Sequence, residues 1–273
     1  MNMKRILTAL IGLPIVLCFL VFGNKYILDV ILAGIAIISM NEYIRCVSKN
    51  AKVISWISYI CVASIAFIHI VPIDVINFVA TLGIPILLLI LFLHVIATNM
   101  KITFKDISYT LMGILYIVCF IMFFSLTYGV EGNITGKVLI WYVILTAWGT
   151  DIFAYLFGKT LGLGKTKFSK VSPNKSIEGC IAGTIGAVVL SVIYTYGINL
   201  YFGFEISYGL IVIISLVLSI IGQIGDFSAS VIKRHFEIKD FSSLFPGHGG
   251  MLDRIDSVMF IAPFAYLLLT SLL

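Results

Sequence analysis

Charged residues are scarce in this chain. Asp, Glu, Lys and Arg make up only 11% of its 273 residues, whereas hydrophobic residues make up 60% and the mean hydropathy is +1.12. An ordinary soluble domain is excluded, because about a quarter of its residues would be charged. The alternating ten-residue segments of membrane β-barrels are also missing. We therefore predict an all-α, polytopic integral membrane protein, since in lipid only helices and closed barrels satisfy the backbone.

Paired cysteines are lacking too. The five cysteines are scattered without a C-x-x-C pair, and four lie in apolar runs, so we interpret them as small buried hydrophobes. The net charge of +5 is modest. In a membrane protein it indicates orientation and gives no reason to expect nucleic-acid binding.

Nine apolar runs approach the roughly 20 residues that a bilayer requires. They are approximately 6–22, 26–44, 53–71, 74–97, 107–129, 138–158, 180–202, 206–230 and 255–273. The first lacks a clear cleavage site and is interpreted as an uncleaved helix. With the N-terminus in the cytoplasm, all 18 Lys and Arg except Lys25 and Lys137 lie on the cytoplasmic side. This topology places 159–179 and 231–254 where nucleotides are available.

Two regions differ in polar content. Residues 1–130 are predicted to form N-terminal transmembrane helices with few charges, and 131–273 a catalytic region whose polar site faces the cytoplasm. Glu42 lies where the second span meets the cytoplasm, and snorkelling to the interface is favoured over a place at the rim of the site. His69 and His94 lie near span ends and are also expected to reach the interface.

The segment from Asp226 to Asp256 concentrates the chemistry. Nine of its 31 residues are Asp, Glu, Lys or Arg. Its carboxylates are hard oxygen ligands of the kind Mg²⁺ prefers, its cations can bind phosphate, and its glycines let backbone amides approach a ligand. The carboxylates are Asp226, Asp240, Asp253 and Asp256; the cations are Lys233, Arg234, Lys239 and Arg254; and Gly247, Gly249 and Gly250 surround His248. This combination is typical of phosphoryl and nucleotidyl transfer. A plain cytoplasmic loop would not need the Asp-rich half.

Two acids lie inside apolar spans. Asp151 is eight residues before Lys159, about 12 Å below the cytoplasmic end of its helix. It is a functional candidate, or else a buried structural residue, and Tyr155 shares its face. Asp226 begins a polar stripe that continues through Ser230 to Lys233 or Arg234.

The loop between these spans contains a basic run, which can attract polyphosphate or anionic lipid head groups, and then a candidate anion site before the next span. Gly164-Lys165-Thr166 does not match a Walker A motif, which requires glycine at 159. In the run from Ser172 to Gly179, a Ser or Pro near a helix start, with Glu178 in the first turn, is ordinary helix capping. The amides there also make an anion site beside Lys175 and Ser176, and both interpretations stay open.

The C-terminal segment resembles the phosphatidate cytidylyltransferases, also called CDP-diacylglycerol synthases. The run S-x2-K-R-x4-K-D-x-S-x2-F-P-G-H-G-G-M-L-D-R-I-D, from Ser230 to Asp256, is similar to that family's pattern throughout. So are D-x3-Y-x2-G-K from Asp151 to Lys159 and S-P-x-K-S-x-E-G from Ser172 to Gly179. Asn174 stands where the family often has lysine, Ser242 replaces a frequent glycine, and the 159–171 loop is a little longer.

The resemblance implies that CTP and phosphatidate give CDP-diacylglycerol and pyrophosphate in a bacterial cell (inner) membrane. For this reaction the residues themselves predict Mg²⁺ held by Asp226, Asp253 and Asp256, with Asp151 nearby as an alternative to Asp256, and cations that neutralise the substrates. The catalytic candidates are Asp226, Lys233, Arg234, Lys239, Asp240, His248, Asp253, Arg254 and Asp256. The substrate-binding candidates are Asp151, Tyr155, Lys159, Ser172, Lys175, Ser176, Glu178, Ser230, Gly249 and Gly250.

Two other functions compete with this one. The first keeps CTP and Mg²⁺ but uses another lipid, as an isoprenoid-ether lipid phosphate enzyme or a CTP-dependent polyprenol kinase would. The second is a cation transporter that uses Asp151 and Asp226, which would not need the cytoplasmic cations beside carboxylates. A homodimer is compatible with the sequence, although no residue requires it.

Overall fold

The computed structural model describes residues 14, 16–160, 171–173, 175–245, 247 and 249–273, without the side chains of residues 73, 80, 159 and 160. The described helices are α1 (Lys25–Val47), α2 (Ser55–Ser64), α3 (Ile73–Ala97), α4 (Phe104–Gly113), α5 (Phe120–Tyr128), α6 (Gly136–Tyr155), α7 (Ile177–Phe202), α8 (Tyr208–His235) and α9 (Leu252–Leu272). A 3₁₀ turn follows α2 at Ile65–Phe67, and π-helical segments join α4 to α5 at Ile114–Cys119 and extend α6 at Leu156–Thr160.

The all-α membrane architecture is confirmed. Within the described residues, six helical stretches are long and apolar enough to cross a membrane. They are Lys25–Val47, Phe104–Tyr128, Gly136–Gly158, Ile177–Phe202, Tyr208–His235 and Leu252–Leu272, while Ser55–Phe67 and Thr81–Ala97 are shorter apolar helices. The first predicted span lies mostly outside the described residues. The count of nine and the cytoplasmic N-terminus therefore stay predictions.

The chain divides into two compact units. Unit 1 comprises Met1–Leu126 and Asp240–Leu252, and unit 2 comprises Thr127–Lys239 and Asp253–Leu273. The predicted functional division into 1–130 and 131–273 stays a prediction. The polar segment 226–256 is shared, because residues 240–252 belong to unit 1.

Unit 1 contains a buried polar cluster built on α1. Asp29 is fully buried, and it accepts a hydrogen bond from the Ser125 hydroxyl of α5. Its Oδ2 also lies 2.9 Å from His69 Nδ1. The expectation that His69 reaches the interface is wrong, because only 11% of its side chain is exposed. A carboxylate this deep in an apolar unit requires such partners.

Small residues bring the helices of unit 2 close together. A Cβ on Gly183 of α7 would lie 2.6 Å from the Thr150 carbonyl of α6, and one on Gly225 of α8 would lie 2.7 Å from Cβ of Phe260 on α9. Such close approach is typical of helix packing in lipid. A hydroxyl network crosses the same helices, since Thr150 Oγ1 lies 2.8 Å from Ser219 Oγ, which donates to Thr184 at 3.2 Å.

Candidate active site

Unit 2 brings together predicted site residues from four segments. Asp151 lies on α6, Lys175 two residues before α7, Asp226 on α8, and Asp256 on α9. The carboxylate of Asp256 lies within electrostatic range of Asp226 and Asp151. Close approach at Gly225 brings two of these acids together, because Gly225 directly precedes Asp226 and a Cβ on it would lie 2.9 Å from the Asp256 carbonyl oxygen.

Each of two acids is paired with a lysine. The Lys175 ammonium forms an ion pair with Asp226, and it also lies 4.8 Å from the centroid of the Phe227 ring. Lys233 Nζ donates to Asp253 Oδ1 at 2.6 Å, where the Asp253 side chain is only 2% exposed. Carboxylates beside ammonium groups are thus present in the described structure, as the sequence predicted. The pairing itself was not predicted, because it joins residues 51 and 20 positions apart.

The start of α7 lies beside the Lys175–Asp226 pair in sequence and carries a capped N-terminus. Ser176 is the N-cap residue, and its hydroxyl accepts from Gly179 N at 3.1 Å. Glu178 lies in the first helical turn, and the Ser172 carbonyl accepts from Lys175 N at 3.1 Å. The capping interpretation is confirmed. The anion-site interpretation stays open, since the first amides of a helix and its dipole favour a negative ligand.

A groove leads away from this helix start between α6 and α7. It has a volume of about 440 Å³ and is apolar except for Glu178 at one end. Its walls are Phe153, Phe157, Ile181, Ala182, Ile185, Gly186 and Val189. The α7 residues recur every three or four positions and so share one helix face. From Glu178 to Val189 the groove extends for about 16 Å, at 1.5 Å per residue.

The remaining predicted residues of unit 2 lie around these pairs. Arg234 is exposed and its Nε donates to the Val171 carbonyl at 3.4 Å. Arg254 is exposed on α9 and lies within electrostatic range of Asp151. Tyr155 ends α6 with 62% of its surface exposed, Ser230 is half-buried on α8, and Lys239 is exposed. Lys159 belongs to the π-helical segment, and its side chain lies outside the described part.

Residues 240–252 belong to unit 1 and are described there. Asp240 is exposed, and His248 lies outside the described residues. Phe245 N donates to the Gly249 carbonyl at 2.9 Å, and Gly249 has a φ of +82°, a conformation that favours glycine. Gly250 is buried against Glu42, which sequence reasoning missed as a partner of this segment.

The acids have the chemistry expected of magnesium ligands. Among the described residues, no three His, Cys, Asp or Glu side chains converge so that they alone could hold a metal ion. Mg²⁺ usually takes one or two carboxylates and completes its coordination with water and substrate phosphates. A carboxylate has more lone pairs than one lysine uses. The assignment of Asp226, Asp253 and Asp256 as ligands of Mg²⁺ stays a prediction, in which substrate and water would complete the coordination.

Comparison with known proteins gives one consistent family. The model of the "Cytidylyltransferase family" matches residues 3–272. A phosphatidate cytidylyltransferase of Staphylococcus haemolyticus (strain JCSC1435) is 32% identical over 273 residues, covering 98% of this chain and 99% of the relative. The Bacillus subtilis (strain 168) protein of the same name is 32% identical, covering 97% of both chains. A Staphylococcus aureus (strain COL) relative with that name is 36% identical over 176 residues, 64% of each chain.

Proposed function

The chain belongs to the cytidylyltransferase family, and from this premise we propose that it transfers the cytidylyl group of CTP to phosphatidate. The products are CDP-diacylglycerol, a precursor for phospholipid synthesis, and pyrophosphate. The family match extends over residues 3–272 and includes every residue predicted for the site. The observation that carries the proposal is the convergence, in unit 2, of ion-paired acids and lysines beside the capped start of α7.

In the proposed step, a phosphate oxygen of the lipid forms a bond to the α-phosphorus of CTP. The bond between that phosphorus and the bridging oxygen to the β-phosphate breaks, and pyrophosphate leaves with the electron pair. No general base is required, because a phosphate monoester is largely deprotonated near neutral pH. Both reactants are anionic, so the main tasks of the protein are positioning and charge compensation.

The two paired lysines supply this compensation. Lys175 and Lys233 exchange part of their contact with Asp226 and Asp253 for phosphate oxygens when substrate arrives. An ammonium on a flexible four-carbon stem is suited to this exchange. Arg254 and Arg234 are exposed and add positive charge around the acids. Asp226, Asp253 and Asp256 would hold Mg²⁺, which supplies charge neutralisation to the phosphates when it is bound.

The lipid enters sideways from the bilayer. One acyl chain lies in the apolar groove along α7, and the groove's polar end at Glu178 is two residues from Ser176. The phosphate then reaches the helix start while the chain stays among apolar side chains. The site faces the cytoplasm of a bacterial inner membrane, in accordance with the distribution of Lys and Arg along the sequence.

Turnover with defined lipids tests the function directly. Purified protein in mixed micelles receives radiolabelled CTP, Mg²⁺ and phosphatidate, with Asp253→Asn alongside. We expect labelled CDP-diacylglycerol from the wild type, and a loss of at least about a hundredfold in the variant because a buried partner of Lys233 loses its charge. If product forms only from polyprenol or isoprenoid-ether acceptors, that acceptor would replace phosphatidate in the proposal. Metal flux in proteoliposomes without CTP turnover would overturn it in favour of transport.

A further inference from the structure

Glu42 is a buried carboxylate that accepts hydrogen bonds from three donors. It lies on α1 with 3% of its surface exposed. Its Oε1 accepts from the Ser242 hydroxyl at 2.6 Å and from Met251 N at 2.9 Å, and its Oε2 accepts from Leu252 N at 2.9 Å. The expectation that Glu42 snorkels to the interface is therefore wrong. Both oxygens instead hold a segment about 200 residues away in sequence.

The start of α9 explains why a carboxylate is needed at this position. Leu252 is the first residue of α9, and the first N–H groups of a helix have no partner within the helix. They also form the positive end of the helix dipole. Glu42 thus caps α9 from another helix, with hydrogen bonds that are stronger because the acceptor is charged.

The glycine at position 250 belongs to the same arrangement. A Cβ at Gly250 would lie 2.6 Å from each of the two carboxylate oxygens of Glu42, closer than real Cβ contacts permit. Gly250 was predicted to let backbone amides approach a ligand. In the structure its missing side chain makes room for the Glu42 carboxylate.

We propose that Glu42 is a positioning residue for nucleotidyl transfer, which fixes Ser242 and the backbone of Met251 and Leu252 at the start of α9. The inference rests on the function proposed above. Asp253 follows Leu252 directly in the chain, and Gly249-Gly250 precede the two amides that Glu42 binds. The carboxylate of Glu42 makes no contact with substrate in this proposal. It acts by holding the backbone that carries these residues.

Kinetics of Glu42→Gln separate positioning from binding. Glutamine keeps one side-chain carbonyl as an acceptor. Its amide N–H groups, however, would face a backbone N–H, and two donors cannot form a hydrogen bond with each other. We expect kcat to fall on the order of a hundredfold, as a misplacement of about 1 Å can produce, while KM for CTP and phosphatidate stays within about threefold. Gly250→Ala should reproduce this pattern with Glu42 intact, because its Cβ displaces the carboxylate. Ser242→Gly removes one of the three donors and should cost less than about tenfold.

Hydrogen exchange in the same variants does not depend on the reaction. The amides of Met251 and Leu252 should exchange faster in Glu42→Gln, while those of Ile140 and Val143, buried in α6, keep their wild-type rates. Wild-type kcat in Glu42→Gln, or equally faster exchange in α6, would overturn the proposal. If the wild type itself makes no CDP-diacylglycerol, the proposed function fails. The exchange result then still decides whether Glu42 holds this segment.

Discussion

The two units differ in whether lysines pair with their carboxylates. In unit 1, Asp29, Glu42 and Asp106 accept hydrogen bonds from backbone amides, hydroxyls and one imidazole. Asp106 is typical, because Thr103 N donates to it at 2.7 Å and Lys52 N at 2.6 Å. In unit 2, Asp226 and Asp253 are paired with lysine ammonium groups.

The difference teaches that burial alone does not identify a catalytic acid. Backbone donors are fixed by the fold and cannot turn toward a substrate. A lysine ammonium can do so, because its stem rotates and its charge attracts phosphate. The lysine partners of Asp226 and Asp253 therefore distinguish these two acids from the carboxylates that hold unit 1. Asp256 accepts from Ser257 N at 2.9 Å, and it is included in the proposed site because it lies near Asp226.

The largest effect is expected at Lys175. Lys175→Gln leaves Asp226 beside Asp256 and Asp151 without its ammonium, so the site repels anionic substrates. We expect kcat/KM to fall at least about a hundredfold, with Lys175→Arg losing less because it keeps the charge. Lys137→Gln, in the first turn of α6 and outside the predicted site, is the control. Equal activity in Lys175→Gln and Lys137→Gln would refute a role for the ion pair.

An intermediate effect is expected in the apolar groove. Ile185→Trp fills it and should raise KM for long-chain phosphatidate about fivefold, which corresponds to about 1 kcal/mol, the lower end of the cost of a misfitted apolar pocket. Dioctanoyl phosphatidate should be affected less. Ile193→Trp is a close control, since Ile185 and Ile193 lie on α7 with 59% and 60% of their surface exposed, and Ile193 is not part of the groove. The same KM change in both variants would place the acyl chain elsewhere.

The smallest effect on catalysis is expected at Asp29. Asp29→Asn weakens the contacts with His69 and Ser125, and should destabilise unit 1 by about 1–3 kcal/mol. Thermal unfolding in detergent should therefore shift to lower temperature. The kcat of the folded fraction should stay within about twofold of wild type, as expected for an interaction outside the reaction. A large fall in kcat at unchanged thermal stability would contradict the interpretation that Asp29 stabilises unit 1 without acting in the reaction.

Much of the site could be anticipated from short stretches of sequence. Asp226 and Lys233 share one helix, and Ser176 with Glu178 is a recognisable helix start. These are local patterns, so helical geometry fixes them. Glu42 could not be assigned in this way. Its only local signal was a carboxylate at the end of an apolar run, and that signal is shared by residues that do reach the interface.

The sequence by itself determined the helical membrane architecture and the family, because hydropathy runs and a long mixed-polarity motif are properties of contiguous residues. Only the tertiary structure decided which charge meets which partner. Lys175 pairs with Asp226 across 51 residues, and Glu42 binds Leu252 across 210. Pairing at such distances depends on how closely helices pack, and here glycines such as Gly183, Gly225 and Gly250 set that approach.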